Sequence, residues 1–437
     1  VQLEGATEAS RVRAFDGLRG LAVAAVVCFH AQVPGARGGF LGVSAFFTLS
    51  GYLITTLLLD EHERSGRISL PAFWSRRARR LLPAAFLALA AIVVFGSSVA
   101  TADQARALRG DVLSALTYVA NWRFFFSGQS YSSLFSEPSP VLHFWSLAIE
   151  EQFYVLFPAV VALALRFGRG RRAFLTALVA AGIGASVVAG FAMSDATSRV
   201  YYGTDTRAAE LFVGALLAIV LHRRREGAAS ARTRLAATVA GVVALAAMAV
   251  LWSTADQTDA WLAHGGFAVH ACLAATVVAA ARYEGVLASS LSWRPLVALG
   301  TISYGVYLFH WPMFLWLTPE RTGLGAAPLF ALRVSLAVGA AALSYRYLEH
   351  PIRRGDRVRG AWPRVLTPAA VAAVVAGCVA VTSAAPEPRV ILHAIGGTSS
   401  PDTKLATARS PGTTPAEPTV TPLHRALDTS RPLRVMV

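Results

Sequence analysis

Charge is scarce in this sequence. Of 437 residues only 15% are Asp, Glu, Lys or Arg, whereas 55% are hydrophobic and the mean hydropathy is +0.51. A soluble chain of this size would show amphipathic stripes beneath a charged surface, and that surface is missing. Cysteine is rare too. Cys28, Cys272 and Cys378 lie in apolar runs, odd in number and without CxxC spacing, which argues against both a disulfide framework and a zinc site. No Walker A loop, HExxH, Gly-x-Ser-x-Gly elbow or Gly-rich dinucleotide motif occurs. No cleavable signal peptide is seen, the first apolar run reading as part of the body. The sequence does not open on Met, and its ends are expected to be cut.

What is present is a series of apolar runs about 20 residues long, the length that crosses a bilayer. They fall at 18–33, 39–59, 82–101, 145–166, 173–193, 208–222, 234–253, 266–282, 297–318, 328–348 and 364–384. The net charge of +15 sits in short arginine blocks between these runs. Attraction to anionic lipid headgroups and the positive-inside rule explain such blocks, so no nucleic-acid partner is expected. With residues 1–13 in the cytoplasm, the loop 60–81 and its arginines fall inside. The later blocks (Arg166 to Arg172, Arg223 to Arg225, Arg353 to Arg359) follow only if the apolar segment 111–126 does not cross. Asn121 and Arg123 interrupt that segment and are costly against lipid. It is expected to be periplasmic or re-entrant, capping the spans together with 127–143. The expectation is an all-α polytopic membrane protein of about 11 transmembrane helices in the plasma (inner) membrane, its N-terminus cytoplasmic. Beyond residue 385, Pro, Thr, Ser and Ala dominate. Residues 385–437 are read as a disordered extracytoplasmic linker. It closes on Pro432-Leu-Arg-Val-Met-Val437, like the opening of a strand, and a further domain is expected beyond it.

Ionisable groups inside spans are functional candidates. Arg19 and His30 are eleven residues apart; at ~100° per residue they share one helix face, separated by ~16 Å along the axis. Arg19 reads equally well as an interfacial anchor, and His30 as a histidine satisfied by a neighbouring carbonyl. Glu150 and Glu151 open an apolar run and cannot both face one partner. Glu150 is placed at a depth similar to His30, where a carboxylate would orient an imidazole acting as general base. Arg77 and Arg80, three residues apart near a helix start, suit bidentate phosphate binding, although a basic cytoplasmic loop alone would also explain them. Tyr304, Tyr307 and His310 follow at i,i+3 steps and read either as an aromatic packing surface, with Pro312 a tolerated kink, or as part of a site.

Together these stretches resemble the acyltransferase-3 family of membrane acyltransferases. Phe15-Asp-Gly-Leu-Arg-Gly-Leu-Ala22 with His30 matches its Arg-x10-His pattern. Phe46-Phe-Thr-Leu-Ser-Gly-Tyr-Leu-Ile54 resembles its second-span signature, and Arg77 and Arg80 match its Arg-x-x-Arg pattern. Trp145-Ser-Leu-Ala-Ile-Glu-Glu-Gln-Phe-Tyr154 resembles its Trp-Ser-Leu-x-x-Glu-x-Gln-Phe-Tyr element. Thr204-Asp-Thr-Arg-Ala208, Ser303–Pro312 and Tyr347-Leu-Glu-His-Pro-Ile-Arg-Arg354 resemble later landmarks. The resemblance covers about residues 14–355 and implies a ten-helix acyltransferase unit, with 364–384 as one extra span. It implies transfer of an acetyl or similar short acyl group from a cytoplasmic donor to a hydroxyl of an envelope glycan such as lipopolysaccharide or peptidoglycan. The donor is expected to be acyl-coenzyme A, in particular acetyl-coenzyme A, acting as co-substrate; no bound cofactor and no metal are expected.

His30 and Glu150 are then the catalytic candidates, and Arg19, Arg77 and Arg80 the donor-binding ones. Asp16, Ser50, Gln152, Tyr154, Asp205, Arg207, Tyr304, Tyr307, His310 and Glu349 are candidates for supporting roles. In one branch of the family an extra span and linker lead to an extracytoplasmic SGNH-hydrolase-like domain, and 364–437 fit that arrangement. A secondary transporter is the alternative class; it commonly shows internal repeats, and none is found. A simple membrane anchor would need only span 364–384.

Overall fold

A computed structural model describes residues 2–98, 102–128, 138–168, 172–222, 230–354 and 362–383. The expected linker 385–437 lies outside the described residues, as does 129–137 of the expected cap. All regular structure among the described residues is helical. In chain order the helices are α1 (Gln2–His30), α2 (Gly42–Ser65), α3 (Leu70–Ser98), α4 (Ala102–Leu116), α5 (Ala120–Phe126), α6 (Phe144–Phe167), α7 (Arg172–Ala192), α8 (Thr197–Tyr202) and α9 (Thr204–Leu221). There follow α10 (Ala231–Thr254), α11 (Phe267–Ala280), α12 (Val286–Leu291), α13 (Arg294–Thr301), α14 (Ser303–Trp316), α15 (Pro319–Thr322), α16 (Ala326–Ser344), α17 (His350–Arg354) and α18 (Trp362–Ser383).

The chain is a multi-pass, all-α membrane protein. Seven helices among the described residues are long and apolar enough to cross a bilayer: Gly39–Ser65, Leu70–Gly96, Phe144–Phe167, Arg172–Ala192, Ala231–Thr254, Leu262–Ala280 and Ala326–Arg353. The other four expected spans also coincide with helices, and each has a reason to miss that measure. α1 carries Arg13, Asp16 and Arg19, and α9 carries Asp205, Arg207 and Glu210. The expected span 297–318 is broken at Ile302 into α13 and α14. In α18 the described apolar stretch is only Ala369–Ala380. The segment 111–126 is likewise two short helices, α4 and α5, with Tyr118 between them at φ +57°.

Burial separates inner helices from outer ones. The apolar stretch of α2 is 72% buried in protein, against 17% for those of α10 and α16, whose exposed leucines and valines suit a lipid-facing position. Small residues set the innermost contacts. A Cβ on Gly51 of α2 would stand 1.9 Å from the Leu211 carbonyl oxygen of α9, and one on Gly214 of α9 1.9 Å from that of Thr48. α1 is seated in the same way. A Cβ on Gly17 would lie 1.7 Å from the carbonyl oxygen of Leu291, and one on Gly300 of α13 1.7 Å from that of Asp16. Close glycine-mediated approach is how helices associate where lipid removes the hydrophobic drive. The glycines of the Asp16-Gly-Leu-Arg-Gly20 stretch therefore position α1, and with it Arg19 and His30.

Candidate active site

Five helices converge on one cavity of about 250 Å³. α1 contributes Arg19, α2 Ser50, α3 Arg77 and Arg80, α6 Ser146, Glu150 and Tyr154, and α14 Tyr304 and Tyr307. The sequence candidates thus come together from segments more than two hundred residues apart. α3 is pinned against α6 by a proline effect. Pro158 has no N–H to give the Tyr154 carbonyl four residues back, and the Trp74 indole N–H donates to that oxygen at 3.1 Å. Arg77, one turn on, then lies over the rings of Phe73 and Tyr154 at 5.5 and 5.7 Å. Arg19 is paired with Asp16 at 3.1 Å. The Tyr304 hydroxyl donates to the Leu81 carbonyl at 3.1 Å, tying α14 to α3 beside Arg80.

Glu150 is the only carboxylate lining this cavity among the described residues. Its Oε1 accepts a hydrogen bond from the Ser50 hydroxyl, and the Tyr154 hydroxyl lies 3.2 Å from the same oxygen and 3.0 Å from Ser50 Oγ. Three guanidinium groups thus face one carboxylate, an excess of positive charge that suits an anionic occupant. Its partner in sequence, Glu151, is half-buried and not part of the cavity lining.

His30 belongs to a different cluster. It ends α1, with Nδ1 3.0 Å from His310 Nε2 of α14 and its ring centroid 4.8 Å from that of Trp311. His310 in turn neighbours His143, whose ring lies 5.8 Å away. Pro312 leaves the Leu308 carbonyl without its helical donor, and His143 Nε2 fills the gap at 3.0 Å. The expected pairing of His30 with Glu150 is therefore corrected: the carboxylate is held by Ser50 and Tyr154 inside the cavity, the imidazole by His310 outside it. Counting residues from a membrane boundary compares depths, but which neighbour a side chain faces depends on helix rotation and packing. Tyr307 touches both clusters: it lines the cavity, and its hydroxyl bonds to Ser146 Oγ at 2.6 Å and to the His143 carbonyl at 3.0 Å.

The other candidates are scattered. Gln152 staples α6 to the α4–α5 turn and to α9: it donates to the Tyr118 carbonyl at 2.7 Å and to Asn121 at 3.0 Å, and accepts from Thr204 at 2.6 Å. Asp205, exposed on the first turn of α9, pairs with Arg199 at 2.7 Å. Arg207 is fully buried, bonded to Glu210 at 2.6 Å and packed over the Phe267 ring at 3.8 Å. Glu349 accepts from the Ser344 hydroxyl at 3.0 Å, within the π-helical turn Tyr345–Glu349. Sequence reasoning missed His143, Ser146 and Glu210. Glu210 was visible as the i+3 partner of an arginine inside an apolar run, whereas His143 and Ser146 precede Glu150 with no spacing that marks them.

Residues 12–383 match the family model described as "Acyltransferase domain" of the acyltransferase-3 type. The chain belongs to the acyltransferase-3 family. Among curated proteins it is similar to the peptidoglycan O-acetyltransferase OatA of Listeria monocytogenes, 36% identical over 351 residues, covering 78% of this chain and 56% of that protein. The putative peptidoglycan O-acetyltransferase YrhL of Bacillus subtilis is 38% identical over 346 residues, covering 77% and 54%. The O-acetyltransferase OatA of Staphylococcus aureus is 33% identical over 347 residues, covering 78% and 57%. The chain spans about half the length of the curated relatives it matches. No solved structure matches it. Of the residues that the sequence reading matched to family patterns, Arg19, Arg77, Arg80 and Glu150 line the cavity and His30 stands with His310.

Proposed function

We propose that this chain is the membrane unit of an O-acetyltransferase that moves an acetyl group from acetyl-coenzyme A, held on the cytoplasmic side, to a hydroxyl of an envelope glycan, peptidoglycan in the first instance. The observation that carries this reading is the convergence of Arg19, Arg77 and Arg80 on one cavity with Glu150. Guanidinium groups bind phosphates with charge-assisted, bidentate hydrogen bonds, and a coenzyme A donor brings several phosphates. The similarity to peptidoglycan O-acetyltransferases favours acetyl as the group and peptidoglycan as the acceptor.

The roles follow from position. The arginines hold the donor. Glu150, fixed by Ser50 and Tyr154, balances them and orients the donor's uncharged part. His30, ~16 Å from Arg19 along α1, takes the proton of the attacking glycan hydroxyl. A secondary transporter would consume no donor. The experiment measures acetyl-coenzyme A consumption by membranes containing the protein, together with base-labile acetyl esters on peptidoglycan from cells with and without the gene. Donor-dependent esters that vanish with the gene are expected. Unchanged glycan esters and no donor consumption would overturn the proposal.

A further inference from the structure

The hydrogen bonds around His310 restrict which nitrogen of His30 carries a proton. His310 is fully buried, and its Nδ1 lies 2.7 Å from the Tyr307 carbonyl and 3.2 Å from that of Val306. A carbonyl oxygen only accepts, so Nδ1 of His310 is the protonated nitrogen. In the neutral ring Nε2 then holds a lone pair and is an acceptor. His30 Nδ1, 3.0 Å from it, must donate. That places the hydrogen of neutral His30 on Nδ1 and its lone pair on Nε2. Two backbone carbonyls of α14, through the His310 imidazole, thereby select the tautomer of His30 on α1, and the Val26 carbonyl one turn back on α1, within reach of the same Nδ1, favours the same form. His143, the third ring, is held separately through Nε2 on the Leu308 carbonyl. The Trp311 ring, 4.8 Å away, limits rotation of His30, and its own indole N–H is anchored on the Ser139 carbonyl at 2.8 Å.

We propose that His310 is a positioning residue that holds His30 with Nε2 as its basic nitrogen. The inference rests on His30 being the general base of the proposed acetyl transfer. In that step the glycan oxygen forms a bond to the acetyl carbonyl carbon while its proton passes to His30 Nε2. The carbon–sulfur bond then breaks, and the thiolate leaves with the electron pair and takes the proton back from the imidazolium. Holding the tautomer keeps the accepting nitrogen ready before substrate arrives, the service a carboxylate gives in Ser-His-Asp sites.

Two measurements test this. Solid-state 15N NMR of histidine-labelled protein in membranes, with His30 assigned by the resonances lost in His30→Gln, should show a protonated Nδ1 and a bare Nε2. Kinetically, His310→Leu should lose about 10²-fold in kcat with donor KM within about twofold. His310→Gln offers an amide N–H to the α14 carbonyls and an oxygen to His30, and should recover most of that loss. A wild-type His30 protonated on Nε2 with a bare Nδ1, or a folded His310→Leu with wild-type kcat, would overturn the positioning role. Where His310→Leu does not accumulate, a 15N–15N coupling across the hydrogen bond between His30 Nδ1 and His310 Nε2 in the wild type decides the question, its absence overturning the positioning role. An active His30→Ala would instead remove the base itself, and so distinguishes failure of the proposed function from failure of this inference.

Discussion

The two ends of one helix face meet different surroundings. At the Arg19 end, α1 meets α2, α3, α6 and α14 around a cavity lined by three arginines, one glutamate, three tyrosines and Ser50. At the His30 end, the same face meets His310 and Trp311, with His143 behind them. The first cluster offers fixed charge and bidentate donors, suited to hold a polyanion in place. The second offers imidazoles whose hydrogens are set by backbone carbonyls, suited to move a proton. Tyr307 touches both, bonded to Ser146 of the cavity lining and to the His143 carbonyl. The contrast teaches that a charged cavity and an imidazole cluster belong to separate partners of α1, although its sequence pattern presents Arg19 and His30 as one motif.

The sharpest way to break this division is at His30. General-base catalysis is worth about 10²–10⁴-fold, so His30→Ala should lose that much turnover while donor affinity, read by equilibrium binding of labelled acetyl-coenzyme A, stays near wild type. Loss of donor binding in a correctly folded His30→Ala would merge the two clusters into one site. A smaller effect is expected at Glu150. Its neutral isostere Glu150→Gln leaves the three arginines without their carboxylate in the cavity and should reduce kcat by about tenfold or more, whereas Glu151→Gln, outside the cavity lining, should change it by less than about threefold; equal losses from both would mean that cavity lining does not separate them.

The arginines sharpen the comparison from the other side. Charge-assisted hydrogen bonds contribute about 1.5–3 kcal/mol, shared by ground and transition states. Arg77→Ala and Arg80→Ala should therefore each raise donor KM by about tenfold while kcat at saturation changes little. A double variant with unchanged KM would reduce the α3 cluster to a topology signal.

Much of this molecule was legible before folding was considered. Hydropathy and length marked segments that coincide with helices, seven of which among the described residues are long and apolar enough to cross a bilayer, because a chain in lipid must satisfy its backbone within each segment and so writes each crossing as a local run. The break in 111–126 falls at Tyr118, ahead of the Asn121 and Arg123 that interrupt its hydropathy and lie within α5. The cavity residues Arg19, Arg77, Arg80 and Glu150 were all marked by the cost of placing charge in apolar runs. The break at Ile302, which turns one apolar run into α13 and α14, was not, since nothing in its hydropathy distinguishes it from a continuous helix.

What only the tertiary structure decided was pairing. Residue spacing places Arg19 and His30 on one face of α1 and gives Glu150 a depth, but it says nothing of which helix stands opposite each. That depends on contacts such as Gly17 against Leu291 and Gly300 against Asp16, which fix how α1 is turned. It also depends on carbonyls freed by Pro158 and Pro312, whose donors, Trp74 and His143, come from other segments. Each of these is an interaction between residues far apart in sequence, and no local pattern records it. Hence His30 was legible as a candidate site residue, while its partner, His310 rather than Glu150, emerged only once the helices were packed.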